Sequence, residues 1–338
     1  MSLTKAIKAI EISNFGDFDV LVQKNRILKP VKINEVMIKV ACAGLNGPDI
    51  LQRKGFYKPT KESATFPGLE VSGVIAAKGK NVKNHKIGDE VIALCNGGGY
   101  AEFVNVPASQ TLAKPKSWSF IEAATIPETF FTIVQTLIMR AKLKKNMFVL
   151  IHGASGGLGA SAIQIAKFYG AHPIALVSSE QKSHYVKNLG AEFIINYQKQ
   201  DFVEKVLEIT NGHGADRIID IIGGEVFKKN IKVAAKGATI LLLAFLGGAK
   251  SEINLSPILL KGLNIFGSTL GPQNTKTKAQ IARLIDKDLF QAISNKTIKP
   301  PRIITFDLKC ANLAHQAFED KNHYGKIVLV TDFGKTIS

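Results

Sequence analysis

Apolar and polar positions divide the chain into an N-terminal part with strand periodicity and a central part where strands alternate with helices. Short alternating or apolar runs, punctuated by Gly, Asn and Pro, predict the first strands over 35–44, 71–79, 88–94 and 100–106. Apolar positions over 119–141 recur at helical spacing instead, and Pro127 and Glu128 stand where a helix start is expected. A β-rich domain of about 120 residues is therefore predicted first.

From residue 147 the period changes repeatedly between strand and helix. Strands are predicted over 148–152, 172–178, 192–197, 215–222, 238–247 and 263–268, and helices over 157–169, 180–189 and 201–209. Such alternation predicts a parallel sheet with right-handed crossovers, which is a doubly wound α/β fold. After a helix near 276–294, the strand patterns in PPRIITFDL and GKIVLVT are expected to return the chain to the first domain. The predicted division is 1–124 with 299–338, and 125–298.

Four glycines lie between the first central strand and its helix, in HGASGGLGAS (152–161). In the dinucleotide register this motif is Ala154-x-Gly156-x-x-Gly159, with Ala in the place of the first glycine. Gly156 would let a pyrophosphate approach the backbone, and Gly159 would let the helix pack on the sheet. The alternative is a tight turn without a ligand, but the strand–turn–helix context favours a Rossmann cofactor site. The predicted contacts are Ala154, Ser155, Gly156, Gly157, Leu158 and Gly159.

The end of the second central strand, in ALVSSEQKSHY, indicates which dinucleotide binds. An NAD site usually has an acidic residue there to accept from the ribose hydroxyls. Here Ser178 and Ser179 stand at the strand end and Lys182 follows, which suits a 2′-phosphate. Glu180 is interpreted as a first-turn acid that satisfies the helix dipole. NADPH is therefore the predicted cofactor, although an exposed helix lysine remains an equal alternative for Lys182.

Composition and charge limit the remaining classes. The 338 residues carry 44 Lys and Arg against 27 Asp and Glu, a formal charge of +17, which attracts anions. Because the basic residues are scattered, a lysine-rich surface is favoured over a nucleic-acid footprint. Three cysteines without C-x-x-C spacing fit a reducing cytoplasm. No apolar stretch is long enough for a signal sequence or a membrane span, so a cytoplasmic protein is expected.

Several stretches together resemble one family along nearly the whole chain. They are LNGPDILQRKGFY (45–57), FPGLEVSGVI (66–75), PETFFTIVQTL (127–137), IHGASGGLGASAIQIAK (151–167), GAEFIINYQKQDF (190–202) and GKIVLV (325–330). In this order they resemble the zinc-independent quinone oxidoreductases of the medium-chain dehydrogenase/reductase superfamily. The pattern N-x-x-D-x-x-Q-R-x-G-x-Y is similar to the p53-inducible quinone oxidoreductase-like branch.

The resemblance implies a GroES-like β-rich catalytic domain together with a Rossmann doubly wound parallel sheet. It also implies homodimers joined through the last Rossmann strand, around 263–268. On this analogy Tyr197 joins Ser178 and Lys182 around the 2′-phosphate, and three tail residues lie near the cofactor, namely Asn322, Gly325 and Lys326. Two departures stand out: Asn46-Gly47 replaces the usual Asn-Arg, and GSTLGPQN (267–274) lacks an arginine often found there.

The resemblance also indicates whether a catalytic zinc ion is expected. Zinc-dependent relatives place Cys where Asn46 stands and His where Leu69 stands. Asn and Leu supply neither thiolate nor imidazole, so a catalytic zinc is not expected. His152, which precedes the glycine turn, is interpreted as a structural residue at the strand end rather than a catalytic one.

Without zinc, hydrogen-bond donors must polarise the acceptor carbonyl during hydride transfer. Asn46 can donate through its amide and Tyr57 through its phenol, while Asp49 is expected to orient these groups or the nicotinamide ribose. Thr132 is expected to touch the nicotinamide. The alternatives are that Asn46 and Asp49 hold a turn and that Tyr57 is a packed loop aromatic.

These predictions combine into an NADPH-dependent, zinc-free reductase of quinones or reactive α,β-unsaturated carbonyls, acting on small molecules and not at a membrane. An enoyl-thioester reductase of the same fold is the alternative enzyme, because the basic surface suits the phosphates of a thioester carrier. A nucleotide-sensing protein that binds nucleic acid with little turnover is the alternative from another class. A zinc alcohol dehydrogenase is disfavoured by Asn46 and Leu69.

Overall fold

The structure is a computed structural model that describes residues 6–57, 66–320 and 322–337. The chain forms two compact units, Met1–Phe131 with Gly271–Ser338 (unit 1) and Thr132–Leu270 (unit 2). Residues 271–298 thus belong to unit 1, where the Trp118 indole donates a hydrogen bond to Ile293 O at 2.9 Å. The predicted division at 124 and 299 stays a prediction.

The first part of the described chain consists mainly of strands, and strands alternate with helices from residue 148 onward. The strands are β1 (Ala6–Ile12), β2 (Leu21–Ile27), β3 (Glu35–Leu45), β4 (Glu70–Lys78), β5 (Glu90–Leu94), β6 (Phe103–Pro107), β7 (Thr111–Ala113), β8 (Phe148–Ile151), β9 (His172–Val177), β10 (Phe193–Asn196), β11 (Ala215–Asp220), β12 (Ala234–Leu242), β13 (Asn264–Gly267), β14 (Ile303–Asp307) and β15 (Lys326–Val330). The helices are α1 (Gly47–Arg53), α2 (Phe120–Ala123), α3 (Pro127–Ile133), α4 (Gly157–Phe168), α5 (Glu180–Asn188), α6 (Phe202–Ile209), α7 (Gly224–Val233), α8 (Ser256–Lys261), α9 (Thr275–Leu284), α10 (Phe290–Ser294), α11 (Ala311–Glu319) and α12 (Asp332–Ile337).

Unit 1 is built on a mainly antiparallel sheet. In the described chain its strand order is β14-β15-β3-β4-β5-β7, with β6 also paired to β3, and β1 and β2 form a separate hairpin. Inward-facing aliphatic side chains such as Val36, Ile38, Val40 and Ile75 form its core. The predicted return of the chain is confirmed, because β15 pairs with β3 (Ile327 opposite Leu45).

Unit 2 is built on the predicted parallel sheet. Its strand order over the described residues is β10-β9-β8-β11-β12-β13, which is the doubly wound order 3-2-1-4-5-6. Leu150, Ile174, Ile218 and Ile240 lie opposite one another on one face of the sheet and form one buried apolar cluster. Val149 and Ile219, which point to the other face, are buried as well. The strand order reverses between β8 and β11. In such sheets ligands bind at this reversal, beyond the carboxyl ends of the strands.

Some elements differ from the sequence prediction. The helical pattern over 119–141 corresponds to two helices, because α2 ends at Ala123 and α3 begins at Pro127, the predicted helix start, and continues as a π-helix over 134–140. The patterns also missed the β1–β2 hairpin and α7. Among the residues that the structure describes, no helix has the length and hydropathy needed to cross a membrane.

Candidate active site

The glycine turn connects β8 to α4 at the reversal of the unit 2 sheet. Gly153 has φ of +60°, a conformation that an L side chain rarely adopts, and Gly156 is the extended N-cap residue of α4. No side chain caps this helix start within the described structure. Its first backbone N–H groups and the positive end of its dipole are therefore suited to an anion such as a pyrophosphate.

Gly156 and Gly159 are glycines for different reasons. A Cβ on Gly159 would lie 2.5 Å from Ala154 Cα and from Gly153 O, so the helix packs against its own turn only without a side chain. A Cβ on Gly156 would meet only Gly153 O, at 3.5 Å, which is ordinary contact. The protein itself does not require glycine at 156, and the open space there fits a ligand that approaches the backbone closely.

The predicted 2′-phosphate residues meet at the ends of β9 and β10. Lys182 Nζ donates to Ser178 Oγ at 3.2 Å, and Tyr197 N donates to Val177 O at 3.1 Å, which places the half-exposed Tyr197 beside this strand end. Ser179 caps α5, because its Oγ accepts from Lys182 N at 3.3 Å. Glu180 Oε1 lies 4.0 Å from His184 Nε2, one turn along the same helix.

A buried network of polar side chains begins at His152, the residue that precedes the glycine turn. His152 Nε2 lies 2.7 Å from Asn230 Oδ1, and Asn230 Nδ2 donates to Asp220 Oδ2 at 2.9 Å. The other Asp220 oxygen accepts from the backbone N–H groups of Ile222 and Gly223. Burial lowers the pKa of His152, so the imidazole is neutral. Through Asn230 it links the end of β8 to Asp220 at the end of β11. This geometry agrees with the structural role expected for His152.

In unit 1, Asn46 belongs to a buried charge network. Lys326 Nζ donates to Glu70 Oε1 at 2.5 Å, to Asn46 Oδ1 at 2.7 Å and to Leu45 O at 3.0 Å. Asn46 Nδ2 donates to the same Glu70 oxygen at 2.8 Å. Both ends of the Asn46 amide are thus engaged, and the ammonium of Lys326 is held inside unit 1. Their predicted catalytic and cofactor roles stay predictions.

Asp49 organises the start of α1. Its carboxylate accepts from Asn46 N and from Gly68 N, each at 2.9 Å, and the side chain is fully buried. Burial raises its pKa to about 6, against the lowering effect of the two backbone N–H groups and of Lys326. The position suits the orienting role that the sequence suggests, since the carboxylate fixes the Asn46 backbone.

Tyr57 and three predicted cofactor contacts, Gly325, Asn322 and Thr132, differ in their surroundings. The Tyr57 hydroxyl lies so close to Gly271 that a Cβ there would overlap it. Gly325 has φ of +85°, and a Cβ there would overlap Arg302 O. Asn322 is exposed, with its N–H donating to Asp320 Oδ1 at 2.8 Å. Thr132 is half-buried, and its carbonyl accepts from Thr136 Oγ1 at 2.7 Å.

A second buried group of polar side chains, Tyr100, His315 and Arg53, begins next to Asp49. The Tyr100 hydroxyl is 3.4 Å from His315 Nε2, and the neighbouring Asp49 charge, after burial, raises the Tyr100 pKa. Arg53 is fully buried and pairs with Glu319 through Nη2 at 2.6 Å. Burial, followed by the nearby Arg53 charge, lowers the pKa of His315 to about 3. His315 is therefore neutral in the folded protein at every physiological pH.

We expect the buried His315 to make its own contribution to stability fall as the pH falls. Below its ordinary pKa of 6.5, His315 binds a proton in the unfolded chain, whereas in the folded chain it stays neutral down to about pH 3. This one residue therefore lowers the free energy of unfolding by about 1.4 kcal/mol per pH unit, or about 2 kcal/mol at pH 5. The raised pKa values of Glu128 and Asp49 act in the opposite direction over the same range, so the contribution of His315 is measured against a variant, by urea unfolding at pH 7.5 and 5.0.

The variant His315→Gln isolates the contribution, because it keeps a hydrogen-bonding side chain and does not titrate. On going from pH 7.5 to 5.0, its free energy of unfolding should change by about 2 kcal/mol more favourably than that of the wild type. The exposed His184 gives the matched control, and His184→Gln should show the same change as the wild type. Equal changes in His315→Gln and the wild type would contradict the prediction.

Comparisons with known proteins agree with this architecture. Residues 32–116 match the alcohol dehydrogenase GroES-like domain, and residues 157–287 match the zinc-binding dehydrogenase domain. A quinone oxidoreductase-like protein 2 homolog from Nematostella vectensis is 30% identical over 330 residues, covering 97% of this chain and 90% of that protein. The chain belongs to the quinone oxidoreductase family of the medium-chain dehydrogenases/reductases.

Solved structures of the same fold support this membership. The Escherichia coli quinone oxidoreductase complexed with NADPH superposes with a TM-score of 0.83 at 26% identity, covering 96% of this chain and 99% of that one. The CurK enoyl reductase superposes with a TM-score of 0.83 at 28% identity, covering 97% and 100%. The expected fold, a GroES-like domain with a Rossmann domain, is confirmed, and this family member is an oxidoreductase.

The metal question is separate from family membership. In the ranges 6–57, 66–320 and 322–337, no group of three or more His, Cys, Asp or Glu side chains is placed to hold a metal ion. Zinc independence stays a prediction that rests on Asn46 and Leu69, which stand where zinc-dependent relatives have ligands.

Sequence reasoning missed two carboxyl groups of this site. Glu70 lies at the first position of β4 with no exposed surface, and Glu128 lies in the first turn of α3. The available signal was an acidic residue inside the apolar stretch GLEVSGVI, because a buried carboxylate needs a partner. That partner, Lys326, is 256 residues away in sequence.

Proposed function

We propose that this oxidoreductase uses NADPH to reduce quinones or reactive α,β-unsaturated carbonyls. The observation that carries the proposal is the Ser178–Lys182 hydrogen bond at the end of β9. A hydroxyl and an ammonium stand where an NAD enzyme has a carboxylate, and they suit the charge of a 2′-phosphate. The neighbouring Tyr197 adds a half-exposed phenol to the same place.

The residues of unit 2 fit a dinucleotide. When bound, NADPH supplies the hydride that reduces the acceptor. The turn Ala154-Ser155-Gly156-Gly157-Leu158-Gly159 would hold the pyrophosphate through backbone N–H groups at the start of α4. Ser178, Lys182 and Tyr197 would hold the 2′-phosphate, and Ser179 would position Lys182 by capping α5. Thr132, Asn322, Gly325 and Lys326 stay in the proposal as cofactor contacts implied by the family.

In the same proposal, unit 1 supplies the acceptor chemistry. Tyr57 donates a hydrogen bond to the acceptor oxygen, where negative charge develops during reduction. Asn46 and Asp49 act by positioning, because their polar atoms are used by Glu70, Lys326, Gly68 and the Asn46 backbone. A cytoplasmic location, expected from the cysteine content, belongs to the proposal as well.

The enoyl-thioester reductase is the second candidate. The similarity to the CurK enoyl reductase favours it, and so does the net charge of +17, which would attract the phosphates of a thioester carrier. The two candidates share the cofactor site and the hydride step. They differ in the acceptor, so activity with a short enal, an ortho-quinone and an enoyl thioester separates them.

A second copy of the chain is the proposed partner. In the described structure β13 pairs on one side only, with β12, and lies at the edge of the unit 2 sheet. The preceding helix α8 exposes Leu259 and Leu260 by 82% and 77%. An open strand edge next to exposed leucines supports a homodimer that joins the last strands of two sheets, as the family implies.

Lys182→Ala tests the cofactor choice. Loss of the ammonium should weaken NADPH binding about 10- to 100-fold, as expected for a hydrogen bond to a charged group worth 1.5–3 kcal/mol, and should leave NADH binding almost unchanged. Binding is measured by titration calorimetry, and turnover by NADPH oxidation with an ortho-quinone and a short enal.

The control is Lys187→Ala, which removes an exposed lysine of the same helix and should bind NADPH like the wild type. Equal losses for NADPH and NADH in Lys182→Ala would contradict the 2′-phosphate assignment. Tight NADPH binding without reduction of any acceptor would favour the binding-protein alternative, especially with a salt-sensitive shift on nucleic acid.

A further inference from the structure

Three carboxyl groups cluster in unit 1, and only one of them is partly exposed. Asp49 and Glu70 have no exposed surface, and their oxygens accept hydrogen bonds from neighbouring groups. Glu128 is different, because its backbone N donates to Glu70 Oε2 at 2.9 Å and the residue itself is partly exposed. Within the described residues, its carboxyl group accepts no hydrogen bond. Glu128 therefore combines a largely buried environment with partial exposure and a carboxyl group that is not engaged by these neighbours.

The charges around Glu128 favour its protonated form. Burial, followed by the negative charges of Glu70 and Asp49, raises the Glu128 pKa to about 8. Lys326 and Lys278 lower it, but both ammonium groups are engaged elsewhere. Lys326 binds Glu70 and Asn46, and Lys278 Nζ donates to Asn96 Oδ1 at 2.7 Å and to Gly271 O at 2.9 Å. At neutral pH the Glu128 carboxyl group consequently carries a proton.

Tyr57 lies within the field of the same cluster but holds its proton more tightly. Burial, followed by the charges of Glu128 and Asp49, raises the Tyr57 pKa to about 12. Proton donors work best when their pKa lies near the working pH. A carboxylic acid near 8 meets this condition and a phenol near 12 does not. Cys95 and Tyr100, two further acids near the same carboxyl groups, are buried and have their pKa values raised as well.

We propose that Glu128 is the proton donor of the reductase, while Tyr57 contributes a hydrogen bond only; this role rests on the proposed function. Hydride addition gives the acceptor two electrons and leaves negative charge on its oxygen. The O–H bond of the Glu128 carboxyl group breaks, and its proton forms the new O–H bond of a hydroquinone or an enol. The Glu128 carboxylate then regains a proton from solvent through its exposed side.

The isosteric variant Glu128→Gln tests the role, because an amide keeps the shape but has no acidic proton. With a short enal we expect kcat to fall about 100-fold, the usual size of general acid catalysis, while the KM for NADPH stays the same. In the wild type, kcat should decline above pH 8 as Glu128 loses its proton, and in Glu128→Gln this decline should be absent. Glu128→Asp, which keeps an acid, should retain part of the activity and a declining pH limb.

A measurement without cofactor keeps the test independent of turnover. The infrared carbonyl band of a protonated carboxyl group should be present at pH 7 in the wild type, disappear near pH 8 to 9, and be missing in Glu128→Gln. Glu204→Gln, at an exposed position of α6, is the control and should match the wild type in band, kcat and melting temperature.

The outcomes separate this inference from the proposed function. An active wild type whose Glu128→Gln variant stays within threefold in kcat, or keeps the decline above pH 8, overturns the role of Glu128 alone. An unchanged infrared band in Glu128→Gln overturns it as well. A wild type that reduces neither quinone nor enal overturns the proposed function first, and the role of Glu128 with it.

Discussion

Gly159→Ala is expected to destabilise the protein by about 3 kcal/mol, at the upper end for a methyl group forced into a packed site. The added Cβ would lie 2.5 Å from Ala154 Cα and Gly153 O, and backbone atoms cannot move aside as a flexible side chain would. Helix α4 must therefore shift away from the turn, and NADPH binding should be lost together with stability. Urea unfolding and calorimetric titration measure the two losses.

Gly156→Ala is the matched control, because the same methyl group meets only Gly153 O at an ordinary 3.5 Å. We expect its stability to remain within about 0.5 kcal/mol of the wild type, the usual range for a substitution without a clash. Its NADPH affinity should still fall at least about tenfold, or 1.4 kcal/mol, since the methyl group occupies the ligand side of the turn. Equal stability of the two variants would contradict the proposed division of roles between the glycines.

Lys326→Met should cost about 4 kcal/mol of unfolding free energy, as is typical when one partner of a buried ion pair is removed. The Glu70 carboxylate would remain fully buried without its cation, and Asn46 Oδ1 would lose its donor. The hydrophobic stem of methionine preserves most of the packing volume, so the loss reports the charge. Urea unfolding at pH 7.5 gives the value.

The double variant Glu70→Gln with Lys326→Met separates charge from shape. A neutral amide at position 70 leaves no buried charge, and its single oxygen can still accept from either Asn46 Nδ2 or Glu128 N. At least about half of the lost stability should therefore return, within the coupling energies known for buried partners. The exposed pair of Lys228 and Glu225 provides the comparison, and Lys228→Met should cost less than about 1 kcal/mol. A loss below that value in Lys326→Met would refute the assignment.

The parts that sequence predicted well are governed by local rules. The turn between β8 and α4 follows from glycine conformation and helix geometry within ten residues, and in the structure Gly159 lies against Ala154. The alternation of strands and helices in unit 2 follows from periodicity, since a parallel sheet buries both faces of its strands. Ser178 and Lys182 meet because Ser178 directly precedes the N-cap residue Ser179, and Lys182 lies in the first turn of α5.

The parts that sequence did not predict depend on distant partners. Nothing near Lys326 in the sequence indicates that it neutralises Glu70, and the resemblance alone assigned it to the cofactor. The amide of Asn46 was expected to face an acceptor, whereas long-range packing directs it to Glu70. The β1–β2 hairpin was missed because β2, LVQKNRI, is mostly exposed and polar, so its pattern gives little contrast.

The central position of β15 has a consequence for how the protein is made. This strand, the last one in the described residues, lies between β14 and β3, so the edge of β3 at Cys42–Leu45 stays open until Lys326–Val330 has been synthesised. Unit 2 is continuous in sequence and its strands are complete on the ribosome long before that. Late in synthesis there is therefore a period in which an apolar strand edge is open and Glu70 lacks its ion-pair partner Lys326. Ribosome stalling or truncation just before residue 326 should consequently yield chains that require chaperones, while truncation after residue 330 should not.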